Sequence, residues 1–184
     1  MEQFVCLLDY ERYALKHLKP SVRDYYRGGA GDEYTLNLNR EAFKKYRIRP
    51  RVLRDVSKRD ISTTVLGEKI AMPVGVSPTA MQRMAHPEGE CANARATGAA
   101  GTVFMLSTLS TSSIEEVSQA APNTIKWYQL YVYTDRNITL NLVQRAENAG
   151  FKALVLTVDA PLFGDRRADI RNKFTLPSHL RFDY

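Results

Sequence analysis

The chain has 184 residues, 44% hydrophobic and 25% charged, which suits one globular domain with a sizeable core. Lysine and arginine (26) outnumber aspartate and glutamate (20), but the basic residues are scattered, which argues against a nucleic-acid surface. No apolar run has the length of a membrane helix. Cys6 and Cys91 have neither CxxC spacing nor a neighbouring histidine, and read as small apolar residues of a reducing compartment.

The opening MEQFVCLLDYERY (1–13) has a short apolar patch with no basic head before it, so it is not expected to be a secretory signal. DYERYALKHL (9–18) places Tyr10, Tyr13, Ala14 and Leu18 on one helical face, with Asp9 as its predicted N-cap. SVRDYYRGGAGDEYTL continues with a second helix stopped at Gly28-Gly29, and Asp32 is a possible cap for a third. KKYRIRPRVLR (44–54) alternates basic and apolar residues and reads as the solvated face of a strand. IRPRVLRDV and ISTTVLGEKI are then two strands or extended arms.

From Ile70 a unit recurs. IAMPVGVSP is a predicted strand, followed by a helix over HPEGECANARATGAAG. TVFMLST and SSIEEVSQAA form the next pair, with Ser113 and Glu116 in capping-box spacing. IKWYQLYVY and ITLNLVQRAENAG form the third, closed by Gly150, and KALVLTVDAP is a fourth strand. The apolar starts of these strands suit a parallel sheet buried on both faces. Strand–helix alternation predicts an α/β fold, either doubly wound or a (β/α)8 barrel.

In a parallel sheet the carboxyl ends of the strands share one side, where α/β active sites sit. Those ends carry Ser77, Pro78, Thr79 and Ala80; Ser107 and Thr108; Gln129 and Tyr131; and Thr157 and Asp159. Hydroxyls and aspartates there could simply cap the following helices. Gln129 and Tyr131 fit that reading poorly, because neither is a preferred cap. There is no dinucleotide fingerprint, Walker motif or HExxH motif, and GGAG (28–31) and GAAG (98–101) read as turns. His17, His86 and His179 are far apart and no metal site is expected. Neutral amide and hydroxyl groups around a pocket suit a heterocyclic cofactor.

The segments DYYRGGAGDE, VSPTAMQRMAHPEGE, STLSTSSIEEV, QLYVYTDR, GFKALVLTVDAP and DRRADIRNKF together resemble the FMN-dependent (S)-2-hydroxy-acid oxidases, the glycolate oxidase family. The resemblance runs from about Asp9 to Tyr184 and covers the N-terminal half of a family chain. It implies a TIM barrel of which about the first four βα units are present (70–184), after an N-terminal helical segment and β-arm (1–69). It implies FMN as cofactor, a small 2-hydroxy acid as substrate, oxygen as electron acceptor, a homotetramer and a peroxisomal location, with no nucleic-acid or membrane partner. No targeting tripeptide is read in this sequence, so the alternative location is cytoplasmic.

Residue by residue, the resemblance makes Tyr25 and Arg166 substrate ligands. Tyr131 is the active-site tyrosine meeting the substrate hydroxyl, and Asp159 the aspartate paired with the catalytic histidine. Pro78, Thr79 and Ala80 line the flavin with backbone, and Ser107, Gln129 and Thr157 hydrogen-bond its ring. Leu109 stands where many glycolate-type members carry a bulky aromatic, which implies a longer or branched substrate. The histidine base, the lysine near the flavin, the main substrate arginine and the phosphate-binding loops belong to the other half of a family chain. The chain alone is therefore expected to be inactive and to lack a closed barrel, with exposed strand edges that favour self-association. A non-catalytic short form that binds or regulates the full-length enzyme is the alternative reading.

Overall fold

The computed structural model describes residues 3–159 and 161–182. It divides into two compact units, one of residues 3–54 with 161–176 and one of residues 55–159 with 177–182.

The first unit is helical. Helix α1 spans Leu7–His17. Its N-cap is Cys6, and Asp9 sits at the third helical position instead of capping. There the Asp9 carboxylate accepts the Val5 and Cys6 backbone N–H groups at 3.0 and 3.2 Å, which holds its pKa below the usual carboxylate value. Helix α2, Pro20–Arg27, stops at Gly28, as the sequence predicts, and begins one residue earlier than the SVRDYYR segment, on a proline. A side chain at Gly28 would meet the Asp24 carbonyl at 2.7 Å. Helix α3, Tyr34–Glu41, is capped by Glu33 in the left-handed region and not by Asp32. The strand expected over 44–54 does not form. Pro50 interrupts it, and Ile48 and Leu53 are fully solvent-exposed, so no partner sheet covers its apolar side. A short helix after α3, Arg167–Arg171, is treated below with the site residue that precedes it.

The second unit opens with a hairpin. Strands β1 (Thr63–Val65) and β2 (Glu68–Ile70) pair antiparallel across Leu66 and Gly67, both at positive φ, the backbone of a tight two-residue hairpin turn. Three parallel strands follow: β3 (Val103–Leu106), β4 (Ile125–Leu130) and β5 (Ala153–Leu156), in the order β3-β4-β5. The strand expected over 70–78 is reduced to one parallel bridge, Val76 to Phe104. Pro73 offers no N–H and Gly75 no side chain to pack, so only Val76 pairs, donating to the Val103 carbonyl at 2.8 Å. The last strand stops at Leu156, before Thr157, and Ala160 lies outside the described residues.

Helices α4 (Gly89–Ala99), α5 (Ile114–Ala120) and α6 (Arg136–Asn148) alternate with these strands. The capping box holds: Ser113 Oγ accepts the Glu116 N–H at 2.9 Å and Glu116 accepts the Ser113 N–H at 2.8 Å. Gly101 and Gly150 follow α4 and α6 at positive φ, as expected of helix-ending glycines. The three helices cover one face of the sheet. Phe104, Leu106, Tyr128 and Leu130 bury there against Ala94, Ile114, Val117, Leu142 and Ala146. Beyond β5 no further strand pairs among the described residues, so Leu154 and Leu156 stay half-exposed and the sheet does not close.

One buried cation belongs to this frame. Lys126 Nζ donates to the carbonyls of Ala121, Thr124 and Pro122 at 2.8, 2.9 and 3.3 Å, tying the α5–β4 turn to the strand. Lys126→Met removes the donor and should cost about 1–3 kcal/mol in urea unfolding. Burial also lowers the Lys126 pKa below 10.5, so the unfolded chain binds that proton more tightly than the fold. The wild-type protein should therefore gain stability as pH rises towards 10, and the methionine variant should lack that gain.

Candidate active site

The ends of the parallel strands supply most of the predicted site. Ser107 follows β3 directly, Gln129 lies within β4, Tyr131 follows β4, and Thr157 follows β5. Strand alternation sends Phe104, Leu106, Tyr128 and Leu130 to the helices. Ser107, Gln129, Tyr131 and Thr157 consequently belong to the opposite, helix-free face.

Three of these side chains form one hydrogen-bonded row across the strands. Ser107 Oγ donates to Gln129 Oε1 at 3.4 Å, and Gln129 Nε2 donates to Thr157 Oγ1 at 2.9 Å. Gln129 is 2% exposed, so a single amide orientation is fixed by both neighbours. Its Oε1 also accepts the Thr108 N–H at 3.0 Å. The Thr108 hydroxyl donates to the Gln129 carbonyl and accepts the Tyr131 N–H at 3.2 Å. Thr108 is thus the residue that aligns Gln129 and Tyr131. The sequence placed it at the rim without a role, because a threonine after a strand looks like any helix cap.

After these bonds the row keeps spare polar capacity. The second Nε2 hydrogen of Gln129 and the hydroxyl hydrogen of Thr157 are not used within it. A row of neutral donors and acceptors on the helix-free sheet face fits a flat heterocycle with alternating polar atoms. It offers no ligand set for a metal, and among the described residues no group of three His, Cys, Asp or Glu side chains gathers.

Pro78, Thr79 and Ala80 follow the Val76 bridge, with Pro78 and Ala80 half-buried and Thr79 exposed. The Thr79 carbonyl accepts from Gln82 Nε2 at 3.1 Å, and the Met81 N–H donates to the Leu109 carbonyl at 3.0 Å, so this segment is stitched to the loop after β3. Tyr131 and Asp159 are both exposed.

Tyr25 and Arg166 lie in the helical unit, where they meet each other. The Arg166 guanidinium sits 5.1 Å from the Tyr25 ring centroid and donates to the Tyr25 carbonyl, and its Nη1 reaches the Gly28 carbonyl at 3.2 Å. Tyr25 stacks on Phe174 at 4.7 Å. Asp169 Oδ2 accepts from Arg166 Nε at 2.5 Å. Helix α7, Arg167–Arg171, starts beside this arginine and is held to α2 by Asn172 donating to Asp24 at 2.9 Å. Sequence distance hid this pairing, since 141 residues separate Tyr25 from Arg166.

A family model described as FMN-dependent dehydrogenase matches residues 14–184. Glycolate oxidase 3 of Oryza sativa subsp. indica is 56% identical over 180 residues, 98% of this chain and 49% of that protein. 2-Hydroxyacid oxidase 1 of Homo sapiens is 50% identical over 181 residues, 98% of this chain and 49% of that protein. Among solved structures, an oxidised active mutant of (S)-mandelate dehydrogenase superposes with a TM-score of 0.93 at 38% identity, over 98% of this chain and 50% of its own. A mandelate oxidase with 3,3-difluoro-2-hydroxy-3-phenylpropionic acid gives 0.91 at 41% identity, over 96% and 53%. The chain spans about half the length of the curated relatives it matches. Likeness at this level, along nearly all of the sequence, places the chain in the FMN-dependent dehydrogenase family.

Proposed function

We propose that this chain supplies the ring-contacting half of an FMN site in an enzyme that oxidises (S)-2-hydroxy acids to 2-oxo acids. The observation that carries this reading is the Ser107–Gln129–Thr157 row, seated on the helix-free face of a parallel sheet. The glycolate oxidase and 2-hydroxyacid oxidase relatives support the reaction class. A bound flavin would supply a two-electron acceptor for the substrate, taking the α-hydrogen as hydride or by a carbanion route, and would return the two electrons with two protons to oxygen to give hydrogen peroxide.

The residues of this chain then divide the remaining work. Ser107, Gln129 and Thr157 hold the ring, and the backbone of Pro78, Thr79 and Ala80 lines it. Tyr131 presents its hydroxyl to the substrate hydroxyl oxygen. Asp159 orients the histidine that removes the hydroxyl proton and stabilises the cation so formed. Tyr25 meets the substrate carboxylate, and Arg166 is a substrate-side arginine that donates to the Tyr25 carbonyl. The histidine and the phosphate-binding loops belong to the other half of a family-length chain. The same proposal includes a (β/α)8 barrel with its first four βα units within 70–184, residues 1–69 as a preceding arm, a homotetramer and a peroxisomal location.

Gln129→Leu tests it. The substitution removes the ring contact and leaves the Thr108 N–H without its acceptor, so FMN affinity in a family-length protein carrying this sequence should fall about 10- to 100-fold. Flavin fluorescence titration measures this. Anaerobic addition of an (S)-2-hydroxy acid should bleach the visible flavin absorption of the unsubstituted protein. Unchanged FMN affinity in the variant, or no bleaching by any such acid, would reject the proposal.

A further inference from the structure

Glu90 is the most deeply buried ionisable side chain of the second unit, at 0% exposure on the first turn of α4. A carboxylate out of water needs its lone pairs filled by donors. Glu90 Oε1 accepts the Gln82 N–H at 2.9 Å, the Thr111 N–H at 2.9 Å and the Thr111 hydroxyl at 3.0 Å. Its Oε2 accepts the Ser112 hydroxyl at 2.7 Å. Two backbone amides and two hydroxyls therefore surround it, and none of these donors is a basic side chain.

The donors come from two segments that are distant in sequence. Gln82 follows Pro78–Ala80, and its own side chain reaches back to the Thr79 carbonyl. Thr111 and Ser112 end the loop that starts at Ser107. The Arg83 N–H on Thr111 Oγ1, at 3.0 Å, adds a direct stitch between the segments. Met81, between Ala80 and Gln82, is buried and held at φ 59, the left-handed region that non-glycine residues avoid. An enforced backbone of this kind persists only where its surroundings over-determine it.

We propose that Glu90 is a positioning residue for the flavin site: its carboxylate clamps segment 78–84 to loop 107–112, and so fixes the Pro78–Ala80 backbone relative to Ser107. The inference rests on the FMN reading for its functional meaning, while the clamp itself stands on the hydrogen bonds. Glutamine can reproduce most of it. Its amide oxygen can take the Gln82 and Thr111 N–H groups, and its amide nitrogen can donate to a rotated Ser112 hydroxyl. Alanine can reproduce none of it.

The test compares Glu90→Gln, Glu90→Ala and the milder Ser112→Ala in the family-length protein, by amide hydrogen exchange and FMN fluorescence titration. Glu90→Ala should speed exchange of the Gln82 and Thr111 amides about tenfold or more, the equivalent of one lost hydrogen bond, with core amides of β3 and β4 unchanged. FMN affinity should fall with it and the visible flavin spectrum should shift. Glu90→Gln should restore all three to near wild type. Should Glu90→Ala fail to fold, Ser112→Ala must still speed exchange at Thr111 and spare the β3 and β4 amides. Exchange that is unchanged, or that rises uniformly through the sheet, overturns the clamp. Unaltered FMN affinity and spectrum alongside loosened loops leaves the clamp standing and overturns its positioning role for the flavin site. A wild-type protein that binds no FMN defeats the functional proposal instead, and exchange at Gln82 and Thr111 still decides whether the clamp exists.

Discussion

Phe104→Ala should destabilise the protein by about 3–5 kcal/mol in urea unfolding, the range for removing a fully buried aromatic ring and leaving a cavity. Phe104 is 0% exposed, sits in β3 and belongs to the cluster that α4, α5 and α6 close over. Its backbone also faces the Val76 bridge, the sole parallel pairing on that side of β3 among the described residues. The ring therefore holds the helix layer and braces the weakest edge of the sheet together. Its neighbour Met105 points to the helix-free face and is half-buried, so Met105→Ala should cost about 1 kcal/mol, in proportion to the smaller area lost. Equal losses at the two positions would mean that the helix-covered face is not the main source of stability.

That asymmetry between faces also explains how far the sequence could be read. Alternation of strand and helix, the Ser113–Glu116 box and the glycine stops at Gly28, Gly101 and Gly150 are local signals, and the structure repeats them. Elements whose formation depends on a partner differ from what the local sequence suggests. Residues 44–54 alternate like a strand but find no sheet, and 70–78 are apolar like a strand but pair only at Val76. The caps erred by one to three positions for a similar reason. Asp9 and Asp32 are good caps in isolation, yet Cys6 and Glu33 occupy the geometry that the turns impose. At the site, Gln129 stands out in the sequence as a polar residue within an apolar strand, whereas Ser107 and Thr157, just past their strand ends, read equally as helix caps. Glu90 does not stand out, because an acidic residue in a first helical turn is ordinary and only burial marks it out.

Tyr128 should make the protein lose stability in alkali. It lies in β4 at 2% exposure, edge-on to Phe151 with ring centroids 6.1 Å apart. Burial pushes its phenol up to about 12 from an ordinary 10.0, partly offset by a hydrogen bond with Thr108. The folded state thus keeps a proton that the unfolded chain gives up first. Stability from this group is fully present below pH 10 and is lost as pH rises through about 12, a fall of about 2–3 kcal/mol for a shift of this size. The sign is opposite to that of Lys126, whose contribution grows up to its unfolded value of 10.5 and is then complete. Tyr128→Phe separates the two. The variant should be less stable at neutral pH by about 0.5–1.5 kcal/mol for the lost hydrogen bond, and its curve should fall less steeply in alkali. The gap between the proteins should therefore narrow or reverse between pH 10 and 12. Parallel curves across that range would show that Tyr128 ionises as easily in the fold as outside it, and that the β4 core admits water at the phenol.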